Sequence, residues 1–497
     1  MIRIERERDI EVLRQVARLQ DREIEKLHER ITRLTVENAK LKGQDGAQAL
    51  ALELEHLKDL LAQRERALFG DSSEKRPRDG TSETKDPIPQ RGHGPRSQPV
   101  LPIVEQIHEL PVSDRSCPVC GGTVAEMGEQ TEDSEEVTLV ERRFVLVTHR
   151  RKKYRCRCNA CVVTAPAPPK LAPGSRYSIE FAVEVAASKY LDHLPLERQA
   201  RIMAREGLAV DSQTLWDQIN VLARHLQPTA DAIRHAVLDS AVVGADETPW
   251  RLMGGDSKRW WVWALTNGDL VAHAILDSRS KEAARSVLGA YRGIVIADGY
   301  GAYEALARAG PSFRLAHCWA HVRRKFVEIE ENFPVEAKEA LDLIGELYAV
   351  EALVPSRNGN ENVLRLRAEL RASRSREIVR RIRDWAIAQR PLPQSGLGKA
   401  IDYMLGLWKG LTAFLDEPKI PIDNNAVERA LRGVAIGRKN HYGSRSRRGT
   451  EVAALFYSLF ESAKLAAVEP KSYALHAAHA AIAEPGAVTL PSALRSS

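Results

Sequence analysis

The sequence predicts a multidomain α/β protein, in which a mixed α/β core follows several smaller segments. Three observations predict this class. The chain has 497 residues, more than one hydrophobic core usually serves, so three or four domains are expected. From residue 241 to about 320, short β-rich runs and helical runs follow one another in the order β-β-β-α-β-α-β. From about 321 to 417 the pattern is helical throughout.

The composition excludes two other classes of protein. The chain is 43% apolar and 28% charged, which is typical of a globular protein and not of a disordered or membrane protein. No run approaches the roughly 18 apolar residues that a membrane span requires. The charged N-terminus, MIRIERERDIEV, lacks the apolar core of a signal peptide. We therefore expect a cytoplasmic protein without membrane contacts.

Residues 1–70 show a heptad pattern that predicts a coiled coil. One seam position carries Ile24, Ile31 and Asn38, and its partner position carries Leu27, Leu34 and Leu41. β-Branched residues at a and Leu at d favour two parallel strands, and a polar Asn at a fixes their register. We expect this region to make a homodimer or a higher assembly. The alternative is an amphipathic helix packed on the protein's own core. Residues 71–100 are polar and rich in Pro, Gly and Ser, which predicts a flexible linker.

Four cysteines in residues 101–170 predict a zinc ribbon. The motif Cys117-Pro-Val-Cys120-Gly-Gly is followed, after 37 residues, by Cys158-Asn-Ala-Cys161. Two CxxC pairs are typical of a tetrahedral Zn²⁺ site, in which thiolates take the place of a hydrophobic core. The residues between the pairs include runs suited to β-strands. Cys156 is a third candidate in the second pair, although the CxxC spacing favours Cys158 and Cys161.

Residues 171–240 predict a helical domain. The segment LERQARIMAREGLAVDSQTLWDQINVLARHL contains a helix, a break at Gly207 and a second helix capped by Asp211 or Ser212. Two helices joined by a short turn with Gly resemble a DNA-binding helix-turn-helix. A plain helical hairpin explains the pattern equally well, with Trp216 in its core.

Residues 241–465 carry the α/β core, with a helical insertion at about 321–417. The runs AVVGADETPWRLM, RWWVWALTNG and DLVAHAILDS predict an antiparallel meander, GIVIADGY a fourth strand and FRLAHCWA a fifth. This order is that of the ribonuclease H-like fold, in which the first and fourth strands are neighbours. The last core helix then begins near Asn424 and Asn425, which are good capping residues. Residues 466–497 predict a C-terminal helix and tail.

Three acids occupy distinctive places in this core. Asp246 and Asp298 each end an apolar run, on the first and fourth predicted strands, and Glu428 lies on the last core helix. Three clustered carboxylates repel one another, by roughly 4 kcal/mol for a pair about 4 Å apart at an intermediate dielectric. A hard cation such as Mg²⁺ or Mn²⁺ relieves that repulsion. The pattern therefore favours a metal site over ordinary strand-end and surface acids.

A basic segment follows the third acid. From residue 429 to residue 448 there are seven cations and no acid, namely Arg429, Arg432, Arg438, Lys439, Arg445, Arg447 and Arg448. Such a surface suits the phosphate backbone of DNA. The alternatives are a solvated face and, for Arg432 at i+4 from Glu428, a helix ion pair. His317, Cys318 and His321 follow the fifth strand, where they pack near the acids or form a second metal site.

The chain resembles the large transposases of the insertion sequence 66 family, over nearly its whole length. The resemblance is carried by several motifs in one order: ALFGDSSEKRP, CPVCGG, CNACVVTAPAP, GADETPWR, ADGYGAYEAL, HCWAHVRRKF, IDNNAVERALRGVAIGRKN and YSLFESAKLAAVEP. The segment HYGSRSRRG is more basic than the family pattern.

The resemblance implies a DNA transposase with Asp246, Asp298 and Glu428 as its metal-binding, catalytic triad. It further implies recognition of terminal inverted repeats, cleavage, strand transfer and small accessory proteins from the same element. Two alternatives stay open at this point. One is a ribonuclease H-like nuclease without strand transfer, and the other is a non-catalytic zinc and zipper DNA-binding regulator.

Overall fold

The computed structural model describes residues 119–123, 144–155, 162–254, 259–309, 313–355, 360–392 and 394–495. The predicted coiled coil and linker lie outside these residues, as do Cys117, Cys156, Cys158 and Cys161. The chain divides into two compact units, one of Lys75–Arg143 and one of Met1–Glu74 with Phe144–Ser497. In the first unit, the described residues form a turn in which Gly121 has a φ of 72°, a left-handed conformation that favours glycine.

The second unit contains a small hairpin and a five-stranded sheet. The hairpin pairs β1 (Lys153–Arg155) with β2 (Val162–Thr164) in antiparallel register. The larger sheet is built from β3 (Val242–Arg251), β4 (Arg259–Thr266), β5 (Val271–Leu276), β6 (Ile294–Ala297) and β7 (Arg314–His317). Its spatial order is β5-β4-β3-β6-β7. The five strands predicted from the sequence are all observed.

The pairing of the sheet is mixed. β3, β4 and β5 form an antiparallel meander, while β6 lies parallel to β3 and β7 lies parallel to β6. The first and fourth strands of the core are therefore neighbours, as the sequence predicted. The crossovers are α4 (Lys281–Leu288) between β5 and β6, and α5 (Gly301–Arg308) between β6 and β7.

Three helices precede the sheet: α1 (Ile179–Tyr190), α2 (Leu196–Arg205) and α3 (Ser212–Leu238). α2 ends before Gly207, whose φ is 85°. The Asp211 carboxylate then caps α3 by accepting a hydrogen bond of 2.6 Å from Thr214 N. The apolar face of α3 shares one buried core with α1 and with residues of the last helices.

A helical segment separates β7 from the last core helix, as predicted. It comprises α6 (Trp319–Val327), α7 (Pro334–Ala352), α8 (Glu361–Leu370), a π-helical turn (Arg371–Ser375), α9 (Arg376–Gln389), α10 (Gly396–Gly406) and α11 (Trp408–Leu411). These helices pack around a core of their own, which also reaches Ile296 and Ala316 of the sheet. Nothing in the described residues is a helix long and apolar enough to cross a membrane.

Three further helices complete the chain: α12 (Asn425–His441), α13 (Arg447–Leu465) and α14 (Pro470–Ala483). α13 runs against the edge strand β5. Ser462 Oγ accepts a hydrogen bond of 2.9 Å from Val271 N, and Ser458 Oγ accepts one of 2.8 Å from His273 N. Hydroxyl groups of a helix thus satisfy the open edge of the sheet, which would otherwise offer unpaired backbone groups to another chain.

Candidate active site

Asp246 and Asp298 lie side by side where two parallel strands meet. Val242–Gly244 of β3 pair with Ile294–Ile296 of β6. Continuing that register by two residues places Asp246 opposite Asp298, which directly follows β6. The Asp298 carboxylate is held by its own turn, since its Oδ1 accepts a hydrogen bond of 3.0 Å from Tyr300 N. The strand ends therefore bring together the first two predicted acids.

The pKa of Asp246 is raised by its burial and by its acidic neighbours. Burial first, and then the charges of Glu247, Asp298 and Glu428, raise the pKa of this carboxyl from 3.8 to about 8. A hydrogen bond of 2.8 Å from Glu247 N opposes the shift. The coupling to Asp298 and Glu428 shows that the three predicted acids occupy one neighbourhood, although 52 residues or more separate them in the chain.

Glu428 reaches this neighbourhood because the start of α12 is tied to β3. The side-chain amide of Asn424 donates a hydrogen bond of 2.8 Å to Ala245 O, the carbonyl next to Asp246. Asn424 N also donates to Cys318 Sγ at 3.1 Å. The sequence predicted that the Asn424 side chain caps α12, and this is wrong: it makes no capping hydrogen bond and bonds to the sheet instead.

Gly244 makes that tie possible. A Cβ atom at this position would lie 2.5 Å from Asn424 Oδ1, closer than real Cβ contacts allow. Any side chain at Gly244 would displace the Asn424 amide and so weaken the tie between the start of α12 and β3. Since Glu428 lies in the first turn of α12, that tie also helps to position Glu428 beside β3.

The neighbours of Glu428 come from α6 and not from its own helix. His321 Nε2 lies 3.6 Å from Glu428 Oε1, and Arg324 Nη2 lies 3.5 Å from Oε2. The ion pair with Arg432 at i+4, one of the readings of the sequence, is not formed among the described residues. Arg432 is exposed instead.

A second group of possible ligands overlaps the acids. The ligand atoms of Cys318, His321 and Glu428 all lie within 4.8 Å of one another, the spacing that one metal ion could span. His317 does not belong to this group; its ring packs against Gly410 of α11. Burial raises the pKa of the Cys318 thiol to about 12, which keeps it protonated without a metal. The thiol also accepts the hydrogen bond from Asn424 N described above.

The donor set fits a divalent cation. Glu428 Oε1 is buried and has no hydrogen-bond partner, an arrangement that costs free energy unless a cation or another ligand faces it. Asp246 is half-buried among like charges, which a cation would neutralise. Asp246, Asp298 and Glu428 offer only oxygen atoms, which Mg²⁺ and Mn²⁺ prefer.

Glu247 is a neighbour of Asp246 that the sequence analysis did not single out. Glu247 is buried on the face of β3 opposite to Asp246, where it accepts hydrogen bonds from Arg279 Nε at 2.6 Å and from Tyr303 Oη at 2.8 Å. The Arg279 guanidinium stacks on the ring of Tyr300 at 3.6 Å. This network braces the strand that carries Asp246. The alternation of a strand is the one sequence signal that places Glu247 opposite to Asp246.

The seven predicted DNA-binding cations divide into two groups. Arg438 donates to Thr248 Oγ1 at 2.6 Å, and Arg448 donates to Asn220 Oδ1 at 2.9 Å, so both are engaged within the protein. The other five are exposed: Arg429, Arg432, Lys439, Arg445 and Arg447. The Arg447 guanidinium also lies over the ring of Trp260, which is buried.

Replacing Asp246 should stabilise the metal-free protein at pH 8. The folded-state pKa of Asp246, about 8, lies above its ordinary value of 3.8, so the folded state binds the proton more tightly. The stability from that proton is complete below about pH 4 and is lost as the pH rises toward 8. An asparagine at this position cannot ionise, so it loses no stability as the pH rises. We expect Asp246→Asn to raise the free energy of unfolding by about 1–3 kcal/mol at pH 8, since one pKa unit corresponds to about 1.4 kcal/mol.

The measurement is urea denaturation in EDTA at pH 5 and pH 8. The control is Asp277→Asn, an exposed acid that directly follows β5. The free energy of unfolding should differ less between pH 5 and pH 8 in Asp246→Asn than in the wild type. If that difference is the same in both proteins, the proposed crowding of charge is contradicted.

The chain is similar in sequence to a known protein family. The family model described as "Transposase IS66 family" matches residues 174–452, more than half of the chain, including all three acids. Uncharacterized protein y4jD of Sinorhizobium fredii (strain NBRC 101917 / NGR234) is 33% identical over 380 residues, which cover 72% of this chain and 73% of the relative. Uncharacterized protein y4qI of the same strain is 30% identical over 415 residues, or 79% and 74%.

A second family model concerns the cysteines. The model described as "zinc-finger binding domain of transposase IS66" matches residues 114–159 and supports Zn²⁺ binding. The match includes Cys117, Cys120, Cys156 and Cys158, and it ends before Cys161. The predicted set of Cys117, Cys120, Cys158 and Cys161 therefore stays a prediction.

Two serine variants separate the candidates for the fourth ligand. If the CxxC spacing is right, Cys161→Ser should lose most bound zinc, because three thiolates hold Zn²⁺ less well than four, while Cys156→Ser keeps one equivalent. Zinc content is measured by elemental analysis after dialysis against a weak chelator. The reverse result would assign the ligand to Cys156.

Proposed function

This chain belongs to the IS66 family of transposases, and we propose that it cleaves DNA at the ends of an insertion element and joins them to target DNA. The observation that carries this proposal is the convergence of three acids from β3, β6 and α12 on one place. Nothing in the fold requires three buried or half-buried acids to meet there, since they repel one another.

We propose that the core is ribonuclease H-like. The mixed sheet of order β5-β4-β3-β6-β7, with its antiparallel meander and two parallel strands, supports this assignment. So does the position of the acids, at the carboxyl end of β6 and beside it on β3. The helical segment between β7 and α12 is then an insertion before the last core helix.

The residues of the site divide the chemistry between them. Asp246, Asp298 and Glu428 would hold two divalent ions, Mg²⁺ or Mn²⁺. Such ions, when bound, activate a water or a sugar 3′-hydroxyl and stabilise the leaving oxygen of an in-line displacement. The chain's own contribution is positioning: Asn424 and Gly244 hold Glu428 against β3, and the Glu247 network braces Asp246. No covalent intermediate with the protein is required.

Cations near the acids are suited to hold the phosphate backbone. Arg324 lies beside Glu428, and Arg429 and Arg432 extend from the same helix into solvent. Arginine forms bidentate, charge-assisted hydrogen bonds with phosphate oxygens. We propose that these side chains orient the scissile strand, and that Arg445 and Arg447 hold DNA farther along. Residues 1–70 would pair two copies of the chain, and small proteins of the same element would assist.

The deciding experiment supplies both DNA substrates together. Purified protein is incubated with Mg²⁺, a labelled duplex that ends in the inverted repeat flanking its own gene, and a supercoiled target plasmid. We expect labelled DNA joined to the plasmid through the 3′-hydroxyl. Cleaved ends without joined product would favour the nuclease alternative. Sequence-specific binding without any cleavage would favour a regulator, and EDTA serves as the control for metal dependence.

A further inference from the structure

A cavity of about 640 Å³ opens at the far end of α12, between the helices that precede the sheet and the loop that follows α12. Its walls come from the ends of α1, α2, α3 and β3 and from the loop 442–446. The volume is in the range of pockets that hold small ligands. Neither the three acids nor the group around Cys318 lines it.

The cavity is rich in cations that have no acidic partner. Lys189, Arg198, Arg201 and Arg445 line it, and none of them forms an ion pair with an acid within the described ranges. Burial, together with the charge of Arg445, lowers the pKa of Lys189 to about 8. Glu197 is the acid in the wall, and it accepts a hydrogen bond of 2.6 Å from Ser212 Oγ. Neighbouring cations that repel one another in a recess indicate a site for an anion.

Aromatic rings line the same cavity. Trp250 forms part of its floor, Trp216 lines the wall, and Tyr442 is 62% exposed at its edge. Tyr442 has a φ of 59°, an uncommon left-handed conformation for a large residue. The loop holds it there, because Ser444 N donates to Arg251 O at 3.0 Å and Met253 N donates to Ser444 O at 2.8 Å. Strain of this kind persists where the surrounding structure imposes it, and it clusters at functional sites.

The cavity and the acids lie on the same face of β3. Asp246, Thr248 and Trp250 alternate with residues of the other face, and Arg438 bonds to Thr248 between them. From Asp246 to Trp250 the strand rises by about 13 Å. From Glu428 to His441 the helix rises by about 20 Å. A DNA strand has one phosphate per about 3.4 Å in the duplex, so the cavity lies roughly four to six nucleotides from the acids.

We propose that this cavity holds one unpaired nucleotide of the DNA substrate, with its base against Tyr442 and Trp216 and its phosphate at Lys189 and Arg445. The inference rests on the proposed function, because it takes DNA as the substrate of the acids. A duplex does not enter a recess of this size, whereas a base turned out of the stack does. Aromatic rings stack on any base, and cations bind its phosphate, so this combination is typical of sites for unpaired nucleotides.

Binding to two labelled duplexes of one sequence tests the inference. One duplex is fully paired, and the other carries a single bulged adenine; affinity is measured by fluorescence anisotropy in EDTA, so that no cleavage occurs. We expect the wild-type protein to bind the bulged duplex about tenfold more tightly. Tyr442→Asn, which suits the left-handed φ, should abolish this preference. Tyr442→Phe keeps the ring and should retain it.

Lysine variants test the phosphate contact. Lys189→Gln should weaken binding of the bulged duplex and leave binding of the paired duplex unchanged. It should also reduce by about one the slope of the logarithm of that affinity against the logarithm of the salt concentration. Lys399→Gln, an exposed lysine on α10, is the matched control and should leave both affinities unchanged.

Three outcomes would overturn the inference: equal wild-type affinities for the two duplexes, an unchanged preference in Tyr442→Asn, or saturable binding of deoxyadenosine monophosphate without any preference between the duplexes. The last would indicate a free nucleotide as the ligand. Preference for the bulge without DNA cleavage by the metal-loaded protein would count against the proposed function and support the cavity. DNA cleavage without a preference for the bulged duplex would support the proposed function and count against the cavity as a nucleotide site.

Discussion

Asp298→Asn should reduce Mg²⁺-dependent cleavage of end-containing DNA by about 10²–10³-fold or more while DNA binding is retained. Loss of one pre-arranged electrostatic group typically has an effect of this size on catalysis. Asp298 is suited to this test because it follows β6 directly and accepts one backbone hydrogen bond from Tyr300, which an amide oxygen can also accept. The fold should therefore survive the change, and the charge alone is removed.

The measurement is single-turnover cleavage of a labelled duplex, with binding followed separately by gel shift in Ca²⁺. Asp277→Asn is the control, since this acid also follows a strand of the same sheet but is exposed. We expect it to cleave as the wild type does. Cleavage by Asp298→Asn at near wild-type rates would remove Asp298 from the proposed triad.

Arg371→Met should destabilise the helical segment between β7 and α12 by about 3–5 kcal/mol, the usual result of breaking a buried ion pair by removing one partner. The Arg371 side chain is fully buried in the π-helical turn between α8 and α9. Its guanidinium binds both carboxylate oxygens of Glu351, at 2.7 and 2.8 Å. It also donates to the carbonyls of Phe414 and Ile420, at 2.7 and 3.0 Å. Without it, the Glu351 carboxylate keeps the more distant Arg367, whose Nε lies 3.7 Å from Oε2, and the carbonyls of Phe414 and Ile420 lose this donor.

Arg376→Met is the matched control. Arg376 forms an ion pair of 2.7 Å with Asp416, but both side chains are more than half exposed, and such pairs contribute about 0–1 kcal/mol. Urea denaturation followed by tryptophan fluorescence compares the two variants with the wild type. The double variant Arg371→Met, Glu351→Leu should recover part of the loss, because it removes the carboxylate that has lost its bidentate partner. Equal stability of Arg371→Met and Arg376→Met would contradict the structural role of Arg371.

Much of the core could be predicted from the sequence. The order of its strands and helices follows from local patterns, because β-branched apolar runs and helical periodicity are properties of neighbouring residues. The strand that Asp298 follows and the helix that carries Glu428 were both predicted in this way, and both are observed. The adjacency of the first and fourth strands followed from the fold that this order indicated, and the parallel pairing of β3 with β6 agrees with it.

The contacts of the individual side chains could not be predicted. Asn424 has the residue type and the position of a helix cap, yet its amide bonds to Ala245 of the sheet. Glu428 has Arg432 one turn away, yet its neighbours are His321 and Arg324. In both cases a partner distant in sequence competes with a local one. The sequence identifies the local partner, whereas the distant partner becomes known only from the tertiary structure.

By itself, the sequence determined which elements form, which residues are acids at strand ends, and which family motifs the chain carries. Each of these depends on residues close together in the chain. The tertiary structure alone decided that Glu247 is buried behind Asp246, that Arg371 lies at the centre of the helical segment, and that cations and aromatic rings share a cavity beyond the acids. Those arrangements depend on which distant surfaces pack together. The raised pKa of Asp246 and the buried Glu428 Oε1, which has no hydrogen-bond partner, follow from the same packing.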